Sequence, residues 1–261
     1  SISYLFYASR LLEFPLGIFV FAIGTAVLPS LSSLAAEGKQ SELKETFVFA
    51  LRLAMFIVIP AMIGLVVLRI PIINLLFERG SFTPHDTIQT SAALFYYALG
   101  LWAIAGVRVT VPLFYSLHDA KTPVLVGIMT VVANILFSLL LMGPLQHGGL
   151  ALATTLASAV NLFFLLLLLR RKIGPLGIKA TLGSVARALL SSLAMGLVAH
   201  AVCFHIDWTT PGMTITKILY LGSAVGGGVG AYFGLAFLLR FPELTYLKYI
   251  FRKKPSGPVR D

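Results

Sequence analysis

Residues 122–146, TPVLVGIMTVVANILFSLLLMGPLQ, and residues 148–169, GGLALATTLASAVNLFFLLLLL, contain no Asp, Glu, Lys or Arg. Each is longer than the ~20 residues that an α-helix needs to cross the hydrocarbon of a bilayer. The rest of the chain agrees. Of its 261 residues, 58% are hydrophobic and 11% charged, whereas an ordinary soluble domain is about a quarter charged. A soluble core of this size has no use for so many apolar side chains, so the expected fold is all-α, a polytopic transmembrane helix bundle.

Working outward from that pair, the apolar runs predict seven spans: 2–33, 46–68, 88–117, 122–142, 148–169, 183–205 and 214–239. The first and third are long for one crossing and carry internal prolines, so kinks or tilt are expected. Residues 71–77 are too short to span and read as an interfacial or re-entrant helix, ended by Gly80. Thr83 or Asp86 then caps the next helix. The small-xxx-small series Gly222, Gly226, Gly230 and Gly234 reads as a close helix-packing face. The tail 241–261 reads either as a basic amphipathic helix on anionic membrane lipids or as a plain solvated segment.

The net charge of +10 does not point to nucleic acid, because the bases cluster in short loops between apolar runs. Counted by alternate sides, one set holds Lys39, Lys44, Lys121, Arg170, Arg171, Lys172, Lys179, Arg187, Arg240, Lys248, Arg252, Lys253, Lys254 and Arg260. The other holds Arg69, Arg79 and Lys217. Fourteen against three places the C-terminus in the cytoplasm by the positive-inside rule. No Met opens the chain and Ser1 lies at the mouth of a span, so the back part of a longer protein is expected.

Three bases remain inside spans. Arg52 lies about two turns from the cytoplasmic side and is expected to snorkel to the headgroups. Arg10 is ~14 Å along a helix that starts at Ser1, and Arg108 is ~15 Å from the end of its span at His118. Arginine at such depth costs ~2.5–3.5 kcal/mol on insertion scales and normally faces a wet cavity or a partner. Glu13, three residues from Arg10, shares its helical face. Either the pair merely neutralises itself, or Arg10 and Arg108 line a cationic cavity for an anionic substrate. Pro15 and Pro112 free the carbonyls of Leu11 and Arg108, either as packing kinks or as the broken helices that line transport paths. Conventional catalytic and cofactor motifs are lacking: there is no HExxH, GxSxG, Walker sequence or CxxC pair, and Cys203 is the lone cysteine. An enzyme is not expected, nor a cofactor or metal.

Residues 1–38, SISYLFYASRLLEFPLGIFVFAIGTAVLPSLSSLAAEG, resemble the MurJ/MviN family, as do LLFERGSFTPHDT, ALGLWAIAGVRVTVPLFYSLHDAKTPV and GPLQHGGLALATTLAS further on, in the same order. The resemblance thins after about residue 180. It implies a lipid II flippase of the multidrug/oligosaccharidyl-lipid/polysaccharide exporter superfamily, represented by about helices eight to fourteen. Residues 1–172 would then be the C-terminal lobe without its first helix, 173–240 two additional transmembrane helices, and 241–261 a basic cytoplasmic tail. The N-terminal lobe of the same protein would be a partner.

The resemblance further implies that Arg10 engages the diphosphate of the lipid carrier, that Glu13 is its neighbouring essential acid, and that Ser3 lines the same cavity. Arg108 falls where relatives often carry a base. Ser9 departs from the family, whose members usually have Asp there, which leaves Arg10 less neutralised. Asn134 is similar to a position associated with cation binding in some relatives, but the acid that would complete such a site is Ser138 here. The expected function is movement of the undecaprenyl-diphosphate-linked peptidoglycan precursor across a bacterial inner membrane by alternating access. The alternatives are a related exporter of polysaccharide-linked lipids or drugs, and a non-transporting membrane scaffold.

Overall fold

The structure, a computed structural model, describes residues 2–208 and 214–241, apart from the side chains of 178–180. Among the described residues it is helical with no strand. The helices are α1 (Ile2–Pro15), α2 (Phe21–Ala36), α3 (Gln40–Val67), α4 (Arg69–Phe77), α5 (Pro84–Ala98), α6 (Leu101–Ser116), α7 (Lys121–Ile173), α8 (Ile178–Cys203) and α9 (Thr214–Leu238). The reading of 241–261 as an amphipathic tail lies outside the described residues, apart from Phe241.

Among the described residues five helices are long and apolar enough to cross a membrane, or six with the bent pair α5–α6 counted as one span. The joints between helices relate these to the seven expected spans. Helices α1 and α2 form one apolar span, linked by a π-helical turn at Leu16–Val20. Pro15 has no N–H for the carbonyl of Leu11, and the ladder resumes with wider spacing as the N–H of Phe21 reaches back to the Leu16 carbonyl. Helices α5 and α6 form a second broken span, bent by 45°.

That bend is not at Pro112, which stays inside α6. It lies at Leu99 and Gly100. The Gly100 N–H bonds to the Tyr97 carbonyl at 2.9 Å, and the Tyr96 carbonyl accepts instead from the Thr155 hydroxyl at 2.7 Å. A side chain at Gly100 would put its Cβ 2.6 Å from Thr155 Oγ1. The bend is therefore set by a neighbouring helix pressed against a glycine, a cause that local sequence does not display.

Helix α7 is 53 residues long in name only. Gln146 has φ 50° and ψ −128°, and the chain reverses there. The proof is a hydrogen bond of 3.4 Å between Asn134 Nδ2 and Thr154 Oγ1, residues that a straight helix would hold ~30 Å apart. The two charge-free arms thus form an antiparallel hairpin. At Gly149 an added Cβ would overlap the Leu141 carbonyl oxygen, so the arms meet backbone to backbone at the turn.

Two further joints depend on distant residues. Pro60 in α3 leaves the Phe56 carbonyl without its helical donor, and Tyr232 of α9 donates its hydroxyl to that oxygen at 2.6 Å. Arg52 does not simply snorkel: its Nε donates to Ser184 Oγ of α8 at 2.9 Å. The glycine series also needs correcting. Gly227 and Gly228 pack on Val198 and Met195, whereas Gly222, Gly226, Gly230 and Gly234 have open space where a Cβ would stand. Helix α4 ends at Phe77, and Gly80, with φ +61°, serves the turn after it. The expected cap is present as a reciprocal capping box between Thr83 and Asp86.

The loops sort by end as the charges predict. Lys172 pairs with Asp119 at 2.6 Å, Lys44 Nζ lies 3.3 Å from where a Cβ of Gly174 would be, and Arg187 stacks over Phe241 at 5.5 Å. At the other end Lys217 bonds to Asn74 of α4 at 3.1 Å, the helix that Arg69 opens and Arg79 follows. Alternate ends thus carry many and few bases.

Candidate functional site

Helix α1 positions the candidate residues. Ser3, Phe6, Arg10 and Glu13 recur at helical spacing and share one face, and all four are exposed. Arg10 Nη1 donates to Glu13 Oε2 at 2.8 Å, with side chains 58% and 59% exposed. The Arg10 guanidinium also lies 4.9 Å from the centre of the Phe6 ring. One carboxylate and one ring leave most of the five guanidinium donors facing outward. The exposure decides the matter of orientation: the pair sits on an open face of this chain and is not packed into its core. Ser9 turns its hydroxyl back onto the Phe6 carbonyl at 2.9 Å.

Arg108 does not join that cluster. It lines a separate groove of about 380 Å³ between α2 and α6, with Phe21, Thr25, Val107 and Pro112 among its walls. The backbone carbonyl of Arg108 lies 3.6 Å from the Cβ position of Gly24, and Gly24 is fourteen residues beyond Arg10. That is about 21 Å along the span. Within this chain Arg10 and Arg108 are thus two exposed cationic positions at different depths. Asn134 bonds across the α7 hairpin to Thr154, so its amide is spent in part on holding the two arms together.

Among the described residues no group of three or more His, Cys, Asp or Glu is arranged to hold a metal. Asp119 lies outside the spans, in the turn between α6 and α7. The hydrogen bond from Lys172, helped by the Thr122 backbone N–H, pulls its carboxyl down to about 2. This tie closes the base of the α7 hairpin.

Sequence reasoning missed three polar joints. Lys217, 4% exposed, donates to Asn74 Oδ1 and to the Trp208 carbonyl at 3.1 and 3.0 Å. Arg52 meets Ser184, and Tyr232 meets the Phe56 carbonyl. Only the last had a local signal, the carbonyl orphaned by Pro60.

Comparison with known proteins agrees with this architecture. The family model described as "Lipid II flippase MurJ" matches residues 1–221. The chain is 36% identical over 247 residues to the probable lipid II flippase MurJ of Vibrio cholerae, covering 92% of this chain and 46% of that protein. It is 32% identical over 245 residues to the corresponding protein of Rickettsia prowazekii, covering 92% and 48%. A solved structure named "Lipid II flippase MurJ, inward closed conformation" superposes with a TM-score of 0.74 at 28% identity, over 92% of this chain and 47% of that one. The chain therefore spans about half the length of the relatives it matches. It belongs to the lipid II flippase MurJ family.

Proposed function

We propose that this chain forms the C-terminal half of a lipid II flippase, which carries the undecaprenyl-diphosphate-linked peptidoglycan precursor from the inner to the outer leaflet of a bacterial cytoplasmic membrane. The observation that carries this reading is the Arg10–Glu13 pair, held deep in a broken span yet exposed on an open face. A charged pair kept only for structure has no reason to face outward there, whereas a diphosphate needs guanidinium donors it can reach.

In this reading residues 1–172 are a transport lobe, and 173–240 add two helices. The N-terminal lobe of the same protein covers the open face. The diphosphate meets Arg10, with Ser3 and Glu13 beside it, and passes along the side that carries Arg108, while the prenyl tail stays in lipid. The lobes rock to alternate access. No covalent step is needed, and membrane potential or an ion gradient would supply the energy. The base-rich end, including the C-terminus, faces the cytoplasm and its anionic lipids.

The test is lipid II translocation by the full-length protein. Arg10→Ala should abolish it with the protein still inserted, and Arg10→Lys should retain a part, since Lys keeps the charge without the fork. Full activity of a normally inserted Arg10→Ala variant would sink the proposal.

A further inference from the structure

At the base-poor end, where α3 gives way to α4 and α8 finishes, lies a cavity of about 430 Å³ that the transport reading does not use. Val66, Ile70, Phe204 and Trp208 form apolar walls, and Arg69 and His200 bring the polar groups. Arg69 is held in place by two contacts that leave its charge unmatched. Its Nη1 donates to the Val66 carbonyl at 2.8 Å, and its guanidinium carbon lies 5.3 Å from the centre of the Phe95 ring. Among the described residues no carboxylate pairs with it. His200 is exposed, and its ring packs 5.9 Å from that of Phe204.

A second base stands in the wall behind. Lys217 is buried with its ammonium 3.0 Å from the Trp208 carbonyl. The exposed Asp207 stands between two lining residues, and both it and Lys217 have further interactions of their own. Trp208 spends its indole N–H on the Cys203 carbonyl at 3.0 Å, so it offers the cavity an apolar face. The first turn of α4 also opens here, with its dipole positive outward.

A guanidinium with donors to spare and an imidazole lining one cavity, with apolar walls at a span's end, suit an anion attached to an apolar body. We propose that this pocket binds a phosphate group through Arg69 and His200, as presented by a membrane phospholipid or by free phosphate. The fork of Arg69 matches two phosphate oxygens, and a fixed guanidinium loses little freedom in binding them.

The experiment is native mass spectrometry of the delipidated full-length protein, titrated with phosphatidylglycerol and, as the uncharged control, a diacylglycerol glucoside. The wild type should take up one phosphatidylglycerol that the glucoside does not match. Arg69→Gln should weaken that site by roughly tenfold or more, the loss expected for a charge-assisted hydrogen bond, with Arg69→Lys in between. His200→Ala, at an exposed position where folding is not at stake, should weaken it by about threefold. Displacement by added inorganic phosphate would assign the site to the bare anion, and resistance to it would assign the site to the lipid headgroup. Equal uptake of the two lipids overturns the proposal. So does unchanged phosphatidylglycerol affinity in Arg69→Gln or, should that variant fail to fold, in His200→Ala.

Discussion

Arg10 and Lys217 reverse what depth alone suggests. Arg10 is nine residues into its span, yet its side chain is 58% exposed on the surface of this chain. Lys217 is in the first turn of α9, near water by position, yet it is 4% exposed. Burial in protein and burial in the membrane are separate quantities, and each charge has settled one of them. Lys217 is enclosed with two oxygen acceptors and joins α9 to α4 and the residues after α8. Arg10 has only its helical neighbour Glu13 and the Phe6 ring. The first arrangement holds elements together. The second leaves a charge free to meet something that arrives.

This contrast can be broken at both ends. The largest effect is expected at Arg10, where Arg10→Ala abolishes lipid II translocation without loss of inserted protein. Replacing Arg10 and Glu13 together by Leu and Met tests the opposite view, because a pair that only neutralised itself at membrane depth could be removed whole at little cost. An active double variant would move Arg10 into the same class as Lys217.

Lys217→Met should act the other way. It strands the Asn74 amide oxygen and the Trp208 carbonyl, at about 1–3 kcal/mol for each buried group left unmatched, so the thermal midpoint in detergent should fall by several degrees. Translocation per folded molecule should be unchanged, and a specific transport defect at wild-type stability would erase the contrast.

Tyr232→Phe comes next, with a loss of about 1–2 kcal/mol as the Phe56 carbonyl freed by Pro60 loses its donor. Phe at 232 keeps the ring that packs 5.3 Å from that of Phe56, so the same melting curve isolates the hydroxyl.

The smallest effect is expected at Asp119. Its carboxyl is held near 2 when folded against about 3.9 when unfolded, so its stabilisation is complete above the unfolded value. It fades as pH falls toward and through 2. Asp119→Asn should cost about 1 kcal/mol or less at pH 7, since the pair faces solvent, and the gap between variant and wild type should narrow in acid. A gap that widened would have the sign wrong.

Much of the frame is legible in the chain because it depends on local rules. Charge-free runs long enough to cross a bilayer give the spans, the distribution of bases sorts their ends, Thr83 with Asp86 gives a cap, and Arg10 with Glu13 gives an i, i+3 pair. What is not legible depends on partners far along the chain. Nothing beside Arg52 names Ser184, and nothing beside Lys217 names Asn74. Pro112 is a plain kink signal, yet α6 absorbs it, while the bend sits at Gly100 because Thr155 presses there. Likewise Arg10 and Arg108 have matching depths when each is measured from its own end. Only the contact of Gly24 with Arg108 separates them.

The α7 hairpin has a consequence for how the protein is made. Between Lys121 and Arg170 its arms carry no Asp, Glu, Lys or Arg to anchor them at the turn, and at Gly149 they touch through backbone. An arm threaded alone would leave the amide of Asn134 in lipid without Thr154. The expected route is therefore entry of both arms into the bilayer as one preformed unit during synthesis, after the turn at Gln146 has closed. Glycosylation reporters fused after residue 146 and after residue 173 would read this. Coupled insertion leaves the first fusion poorly integrated and the second fully so, whereas one-at-a-time threading makes the first as efficient as the second.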